Sequence, residues 1–170
     1  MGRHADFWQV TGEALDFALA DVGVDDGTLR ERLLSEYLTL DALPDARDCL
    51  ARLRDAGLGT GILSNGAPAM LAAAVGHAGL ADLLDEVLSV EAVGVYKPDP
   101  RTYRLAADRF AAPPGAIAFV SANGWDAGGA AAFGFRVAWL NRQGKTPERL
   151  PDAPAAEIRR LDALPALLGL

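Results

Sequence analysis

Three short polar clusters interrupt an apolar chain, and each carries groups able to do chemistry. Ser64 and Asn65 stand in "ILSNGAP", Lys97 in "VYKPDPRTY", and Ser121, Asn123 and Asp126 in "FVSANGWDAGG". Asp126 is the lone acid of its cluster. One carboxylate beside uncharged donors is a poor nest for a hard divalent cation, which takes several oxygen ligands. Taken singly, each group has a plain structural reading. Ser64 and Asn65 could cap the next helix. Lys97 could be a solvated surface lysine, Asp126 a first-turn acid facing a helix dipole, and Trp125 a core residue. Together, at one edge of one sheet, they make a candidate site.

The elements that must position them follow from periodicity. "DFWQVTGEALDFALADVGV" spaces Phe7, Val10, Ala14, Phe17 and Ala18 as a helix stopped near Gly23. "GTLRERLLSEYLTL" repeats the pattern, so the first 42 residues read as a helical hairpin. From residue 43 the pattern changes. "LPDARDCLARLRDAG" is a helix with Pro44 in its first turn and Gly57 just past its end. Then "LGTGILSN", "DEVLSV", "AIAFVSAN" and "FRVAWLN" read as strands. They alternate with the helices "APAMLAAAVGHAG", "DPRTYRLAADRF" and "WDAGGAAAFG". A polar, proline-containing loop leads to a last short strand and helix in "AEIRRL" and "DALPALLGL". Such alternation implies an α/β fold: a doubly wound, Rossmann-like parallel sheet with helices on both faces. Its ligands bind at the carboxyl ends of the strands, where all three clusters fall. The expected organisation is a helical part over residues 1–42 and an α/β core over 43–170.

Bulk composition excludes several functions. The chain has 170 residues, 51% hydrophobic and 23% charged, with a net charge of −7. That balance supports a packed core and argues against nucleic acid or anionic lipid as a partner, since both need a positive field. No segment is long and apolar enough to cross a membrane. The start "MGRHADFW" has no apolar run after its basic residues, so no signal peptide is read there. A single cysteine, Cys49, excludes an internal disulfide and suits a cytoplasmic setting. Inside "ARDCLARL" it reads as a buried structural thiol. His4 and His77 have no partner pattern for a metal. The loop "RQGKTPERLPDAP" reads as a solvated connection that brings Arg142 and Lys145 toward the site mouth.

"ILSNGAP", "VYKPDPRTY" and "SANGWDAGGAAAFGFRVAWLNRQG" resemble the second, third and fourth motifs of the haloacid dehalogenase superfamily. Nearly the whole chain resembles its 2-haloacid dehalogenases acting on the (S) enantiomer. The resemblance implies hydrolysis of (S)-2-haloalkanoic acids to (R)-2-hydroxy acids through an aspartyl ester. It implies no metal and no cofactor. The residues matching its catalytic positions are Lys97, Ser121, Asn123 and Asp126. Those matching its substrate contacts are Ser64 for the substrate carboxylate, Asn65 for the halide, Tyr103, and Phe7 and Trp125 for the apolar pocket. Phosphatases of the superfamily carry a further acid where this chain has Ser121-Ala122-Asn123, which favours dehalogenase over phosphatase.

One expected part has no match. The first motif, "DxxGT" after a strand, supplies the family's nucleophile. "DDGT" at Asp25–Thr28 is a decoy, because Val24 occupies the nucleophile's place and the segment joins two helices. The expectation is therefore a sheet without its first strand and only part of a helical cap. Such a chain would be inactive alone and prone to associate, with a homodimer possible. A superfamily phosphatase and a non-catalytic truncated remnant are the alternatives.

Overall fold

The computed structural model describes residues 4–170. Helix α1 (Phe7–Asp21) starts at Asp6, whose carboxylate accepts from the Gln9 N–H at 2.8 Å. Helix α2 (Gly27–Glu36) starts at Asp26, which accepts from the Leu29 N–H at 3.0 Å. Such caps satisfy amides that a helix start leaves free. A bidentate Arg30–Asp16 pair ties the two helices together. Apart from the buried Leu34, their apolar stripes face outward. Phe7, Val10, Ala14, Leu33 and Tyr37 line an open cleft, and Phe17 is 75% exposed.

Helix α3 (Ala46–Asp55) begins after Pro44, which lies ahead of the first turn and not within it. Gly57 follows the helix with φ +77°, a conformation glycine adopts without strain. Strand β1 (Gly61–Ser64), helix α4 (Pro68–His77) and strand β2 (Glu86–Ser89) form a parallel unit, with Gly61 opposite Glu86 and Ser64 opposite Ser89. Helix α5 (Pro100–Arg109) leads to strand β3 (Ala118–Ser121), helix α6 (Gly124–Phe133), strand β4 (Arg136–Leu140), strand β5 (Ala156–Ile158) and the short α7 (Leu164–Leu167). Strands β3, β4 and β5 pair in that order, all parallel.

Strand β4 shows why the fold is doubly wound. Its alternate residues Val137 and Trp139 pack with Tyr103, Ala106, Ala127 and Ala130 of α5 and α6. Ala138 and Leu140 pack on the opposite face with Cys49 and Leu53 of α3 and Leu164 of α7. Side chains of a strand alternate between faces, and a strand covered on both sides is apolar throughout. Phe119, Phe133 and Phe135 join Tyr103 in an aromatic group with ring centroids 5.1–5.9 Å apart. Cys49 is buried, as expected. The strands do not form one continuous sheet: β1–β2 and β3–β4–β5 share no hydrogen-bonded pair. Among the described residues, no helix is long and apolar enough to cross a membrane.

Candidate active site

The carboxyl ends of β1 and β3 flank a loop, residues 94–99, that carries Lys97 between them. Lys97 Nζ donates to the Leu63 carbonyl at 2.8 Å and to Asp126 Oδ2 at 3.2 Å. It also lies 4.9 Å from the centre of the Phe119 ring. The Lys97 and Asp126 side chains are each 7% exposed, so the surface-lysine reading fails. Burial lowers the lysine pKa, and the Asp126 charge and hydrogen bond oppose that shift.

Asp126 is held from its other side as well. Tyr103, fully buried, donates its hydroxyl to Asp126 Oδ1 at 2.8 Å. Burial first, and then the Asp126 charge, raise the tyrosine pKa, so the phenol stays a donor. Local sequence explains the placement. Pro100 is the first residue of α5, and Asp99 caps it by accepting from the Arg101 N–H at 3.0 Å. Tyr103 therefore sits in the first turn, facing α6. Gly129 on α6 makes room: a Cβ there would stand 2.7 Å from both Pro98 Cβ and the Tyr103 hydroxyl.

The neutral groups surround this buried pair. Asn65 Oδ1 accepts from the Lys97 backbone N–H at 3.1 Å, leaving its NH₂ free to donate elsewhere. Ser64 Oγ accepts from the Gly66 N–H at 3.0 Å. Neither residue caps α4, whose N-cap is Ala67 without a side-chain bond, so the capping reading fails too. Ser121 Oγ accepts from the Asn123 N–H at 3.2 Å, and the exposed Asn123 side chain makes no cap bond to α6. Trp125 is 39% exposed and so is no core residue. Phe7 stands apart from the polar groups. Its N–H donates to Glu91 Oε1 at 3.1 Å, and its ring meets Tyr96 edge-on at 6.1 Å. It lines the α1–α2 cleft, of which Trp125 is not a part.

Arg142 does not reach a site mouth. It is bound at 2.6 Å to Asp45, whose other oxygen accepts from the Leu161 N–H at 2.8 Å. These bonds tie α3 to the C-terminal segment. Residue types did not reveal the Leu63 carbonyl, Tyr96 or Gly129 as parts of the site. Of these, only the small-residue run of α6, permitting close helix approach, carried a signal.

Among the described residues, no group of three His, Cys, Asp or Glu stands close enough to hold a metal ion. Both Asp126 oxygens are engaged, one by an ammonium and one by a phenol. The arrangement offers a buried ammonium–carboxylate pair beneath a rim of uncharged donors. It can receive a small organic anion and orient water beside it. Asp126 is not free to attack, because both its oxygens are engaged and it is buried.

Comparison with known proteins places the whole chain among hydrolases of one family. The family model of haloacid dehalogenase-like hydrolases matches residues 3–134. The chain is 48% identical over 170 residues to (S)-2-haloacid dehalogenase 1 of Pseudomonas sp. strain CBS-3, spanning 99% of this chain and 74% of that protein. The crystal structure of the L-2-haloacid dehalogenase RSc1362 superposes with a TM-score of 0.96 at 44% identity, over 99% of this chain and 75% of that one. The L-2-haloacid dehalogenase from Xanthobacter autotrophicus, with chloropropionic acid covalently bound, gives 0.92 at 39% identity over 99% and 78%. With its two-faced parallel architecture and its lysine–aspartate pair at the strand ends, the chain belongs to the haloacid dehalogenase-like hydrolases.

Proposed function

We propose that this chain serves the hydrolytic dehalogenation of (S)-2-haloalkanoic acids to (R)-2-hydroxy acids. The observation that carries the reading is the buried Lys97–Asp126 pair beside the uncharged Ser64, Asn65, Ser121 and Asn123, in a chain so close to (S)-2-haloacid dehalogenases. In the first step a carboxylate oxygen bonds to C2 with inversion as the carbon–halogen bond breaks and halide leaves. Water then attacks the ester carbonyl, freeing the hydroxy acid, the carboxylate and a proton. The covalently bound chloropropionic acid of the Xanthobacter relative supports such an intermediate.

Ser64 binds the substrate carboxylate, and the free NH₂ of Asn65 faces the departing halide. Lys97 keeps the attacking carboxylate ionised, while Ser121, Asn123 and Asp126 arrange water and ester. Tyr103 is a positioning residue that acts through Asp126. Phe7 and Trp125 are the residues the family resemblance assigns to apolar walls that exclude water, although they line no common cleft here. The displacing carboxylate lies outside the described site, since Asp126 is engaged at both oxygens. On this reading the hairpin of residues 1–42 is part of a cap over the core of 43–170, and the chain alone does not turn over. The exposed Phe17 and Val22 of that hairpin favour association, as in a homodimer. The lone buried Cys49 suits a cytoplasmic setting.

Quenching of Trp125 fluorescence, read in a chain whose Trp8 and Trp139 are replaced by phenylalanine, tests the substrate. Saturable quenching by (S)-2-chloropropionate, weaker with the (R) enantiomer, is expected. Binding of inorganic phosphate with magnesium instead would transfer the chain to the phosphatases. Halide release from the same substrate tests the nucleophile: none is expected from the chain alone, and robust release would show that an acid within it attacks.

A further inference from the structure

Helix α1 is joined to the α/β part at its very start. The first amides of a helix have no acceptor within it. Asp6 takes one of them, the Gln9 N–H. The Phe7 N–H is taken instead by Glu91 Oε1 at 3.1 Å, from a residue 84 positions away. On the other side of Asp6, the Ala5 carbonyl accepts from the Tyr96 hydroxyl. The Tyr96 ring also lies 5.3 Å from the His4 ring, tilted by 39°, and meets the Phe7 ring edge-on at 6.1 Å. Among the described residues, the Glu91 and Tyr96 bonds are the hydrogen bonds that join residues 4–36 to the α/β part.

Both partners are fixed to the site from behind. Glu91 lies in the short helical turn Val90–Val93 that follows β2, and Val90 is fully buried. The Glu91 N–H donates to Ser89 Oγ at 3.3 Å, and that hydroxyl donates to the Gly66 carbonyl at 2.7 Å, next to Ser64 and Asn65. Its carboxylate meets the N-terminus of α1, where the helix dipole favours an anion. Tyr96 precedes Lys97, whose N–H donates to Asn65 Oδ1 and whose ammonium donates to Leu63 O and Asp126. The loop is therefore gripped from two sides, by Asn65 at the end of β1 and by the start of α1. Burial first, and then the charges of Glu91 and Asp6, raise the Tyr96 pKa, so the phenol stays a donor. Elsewhere α1 turns its apolar residues to an open cleft and to solvent, so its seat depends on these few contacts.

We propose that Glu91 and Tyr96 are positioning residues: together they clasp the start of α1 to the Lys97 loop and so set how Phe7 and Lys97 stand toward a bound 2-haloacid. The role rests on the dehalogenase reading; the clasp itself does not. Neither side chain is hydrogen-bonded to the Lys97 ammonium or the Asp126 carboxylate, so each acts through another group. Glu91 acts through the Phe7 N–H. Tyr96 acts through the Ala5 carbonyl, the Phe7 ring and the backbone it shares with Lys97. Loss of either frees the helix start from the loop, and the haloacid then meets a Phe7 and a Lys97 no longer held in register.

The test uses the full chain with Trp8 and Trp139 replaced by phenylalanine. Two quantities are read: amide hydrogen exchange at Phe7, and quenching of Trp125 by (S)-2-chloropropionate. Glu91→Ala is expected to speed Phe7 exchange by about tenfold or more, with exchange at residues 137–140 of β4 unchanged. It should weaken haloacid binding by about tenfold. Glu91→Gln keeps an oxygen that accepts from the Phe7 N–H and should restore both readings to within about threefold of the parent. Tyr96→Phe keeps the ring and loses one oxygen. It should weaken binding by about fivefold, and it serves where Glu91→Ala fails to fold. Rapid Phe7 exchange in the parent, or equal exchange in E91A, overturns the clasp. So does E91Q behaving as E91A. Quenching of the parent that E91A and Y96F leave unchanged overturns the positioning role alone. No quenching of the parent overturns the dehalogenase reading, and the role in binding falls with it.

Discussion

Replacing Lys97 by methionine removes one amine and keeps an apolar stem of similar length. The amine makes two hydrogen bonds, to Asp126 at 3.2 Å and Leu63 O at 2.8 Å, and both charged side chains are 7% exposed. Removing one partner of a buried pair strands the other charge, at a cost of about 3–5 kcal/mol. The orphaned Leu63 carbonyl adds about 1 kcal/mol, lessened by water reaching the half-buried strand. A loss of about 4 kcal/mol is expected, a fall in Tm of about 10 °C for a chain of this size. Urea unfolding followed by tryptophan fluorescence, to which the buried Trp139, 6% exposed, contributes, measures it. The companion variant K97M/D126N removes the stranded charge, and its amide still accepts from Tyr103. It should recover about 2 kcal/mol relative to K97M. A loss below about 1 kcal/mol, or a double variant no more stable than K97M, would refute the view that this pair is buried and coupled.

Gly129→Ala should cost about 1–3 kcal/mol, because its methyl would meet Pro98 Cβ and the Tyr103 hydroxyl at 2.7 Å; thermal melts check it. Asp45→Asn should lower stability by about 2 kcal/mol at pH 7. The Arg142 hydrogen bond, outweighing burial, holds the Asp45 carboxyl below its usual 3.8. Its contribution is therefore complete above that pH and is lost as acid protonates it, so the variant should flatten the stability–pH curve below about pH 4. Cys49, 4% exposed and with its pKa raised by burial, should react with a thiol reagent only as fast as the protein opens. Labelling that outpaces unfolding would show an accessible thiol.

Strong periodicities were readable from residues alone. Each strand and helix appears where the pattern placed it, from "GILS" to "LPAL", because apolar spacing and Pro or Gly boundaries are local properties. Pro44 lies just ahead of α3, whose first residue is Ala46, and not in its first turn; the two placements look alike in one dimension. Ser64 and Asn65 have the residue types of caps, and only the structure shows Ala67 taking that position while Asn65 engages Lys97. Arg142 looked like a solvated loop cation because its partner, Asp45, is 97 residues away.

The order of strands and helices, the absence of a disulfide and the chemical make-up of the polar clusters were determined by sequence alone, since each depends on residues near in the chain or on composition. Tertiary structure decided how those clusters meet. Lys97, Asp126, Tyr103 and the Leu63 carbonyl come from four separate segments, and only packing sets their distances, their burial and hence their electrostatics. It also decided that the strands stand as two sheets with no hydrogen-bonded pair between them, because pairing depends on which backbones lie about 4.8 Å apart, a relation no local pattern encodes.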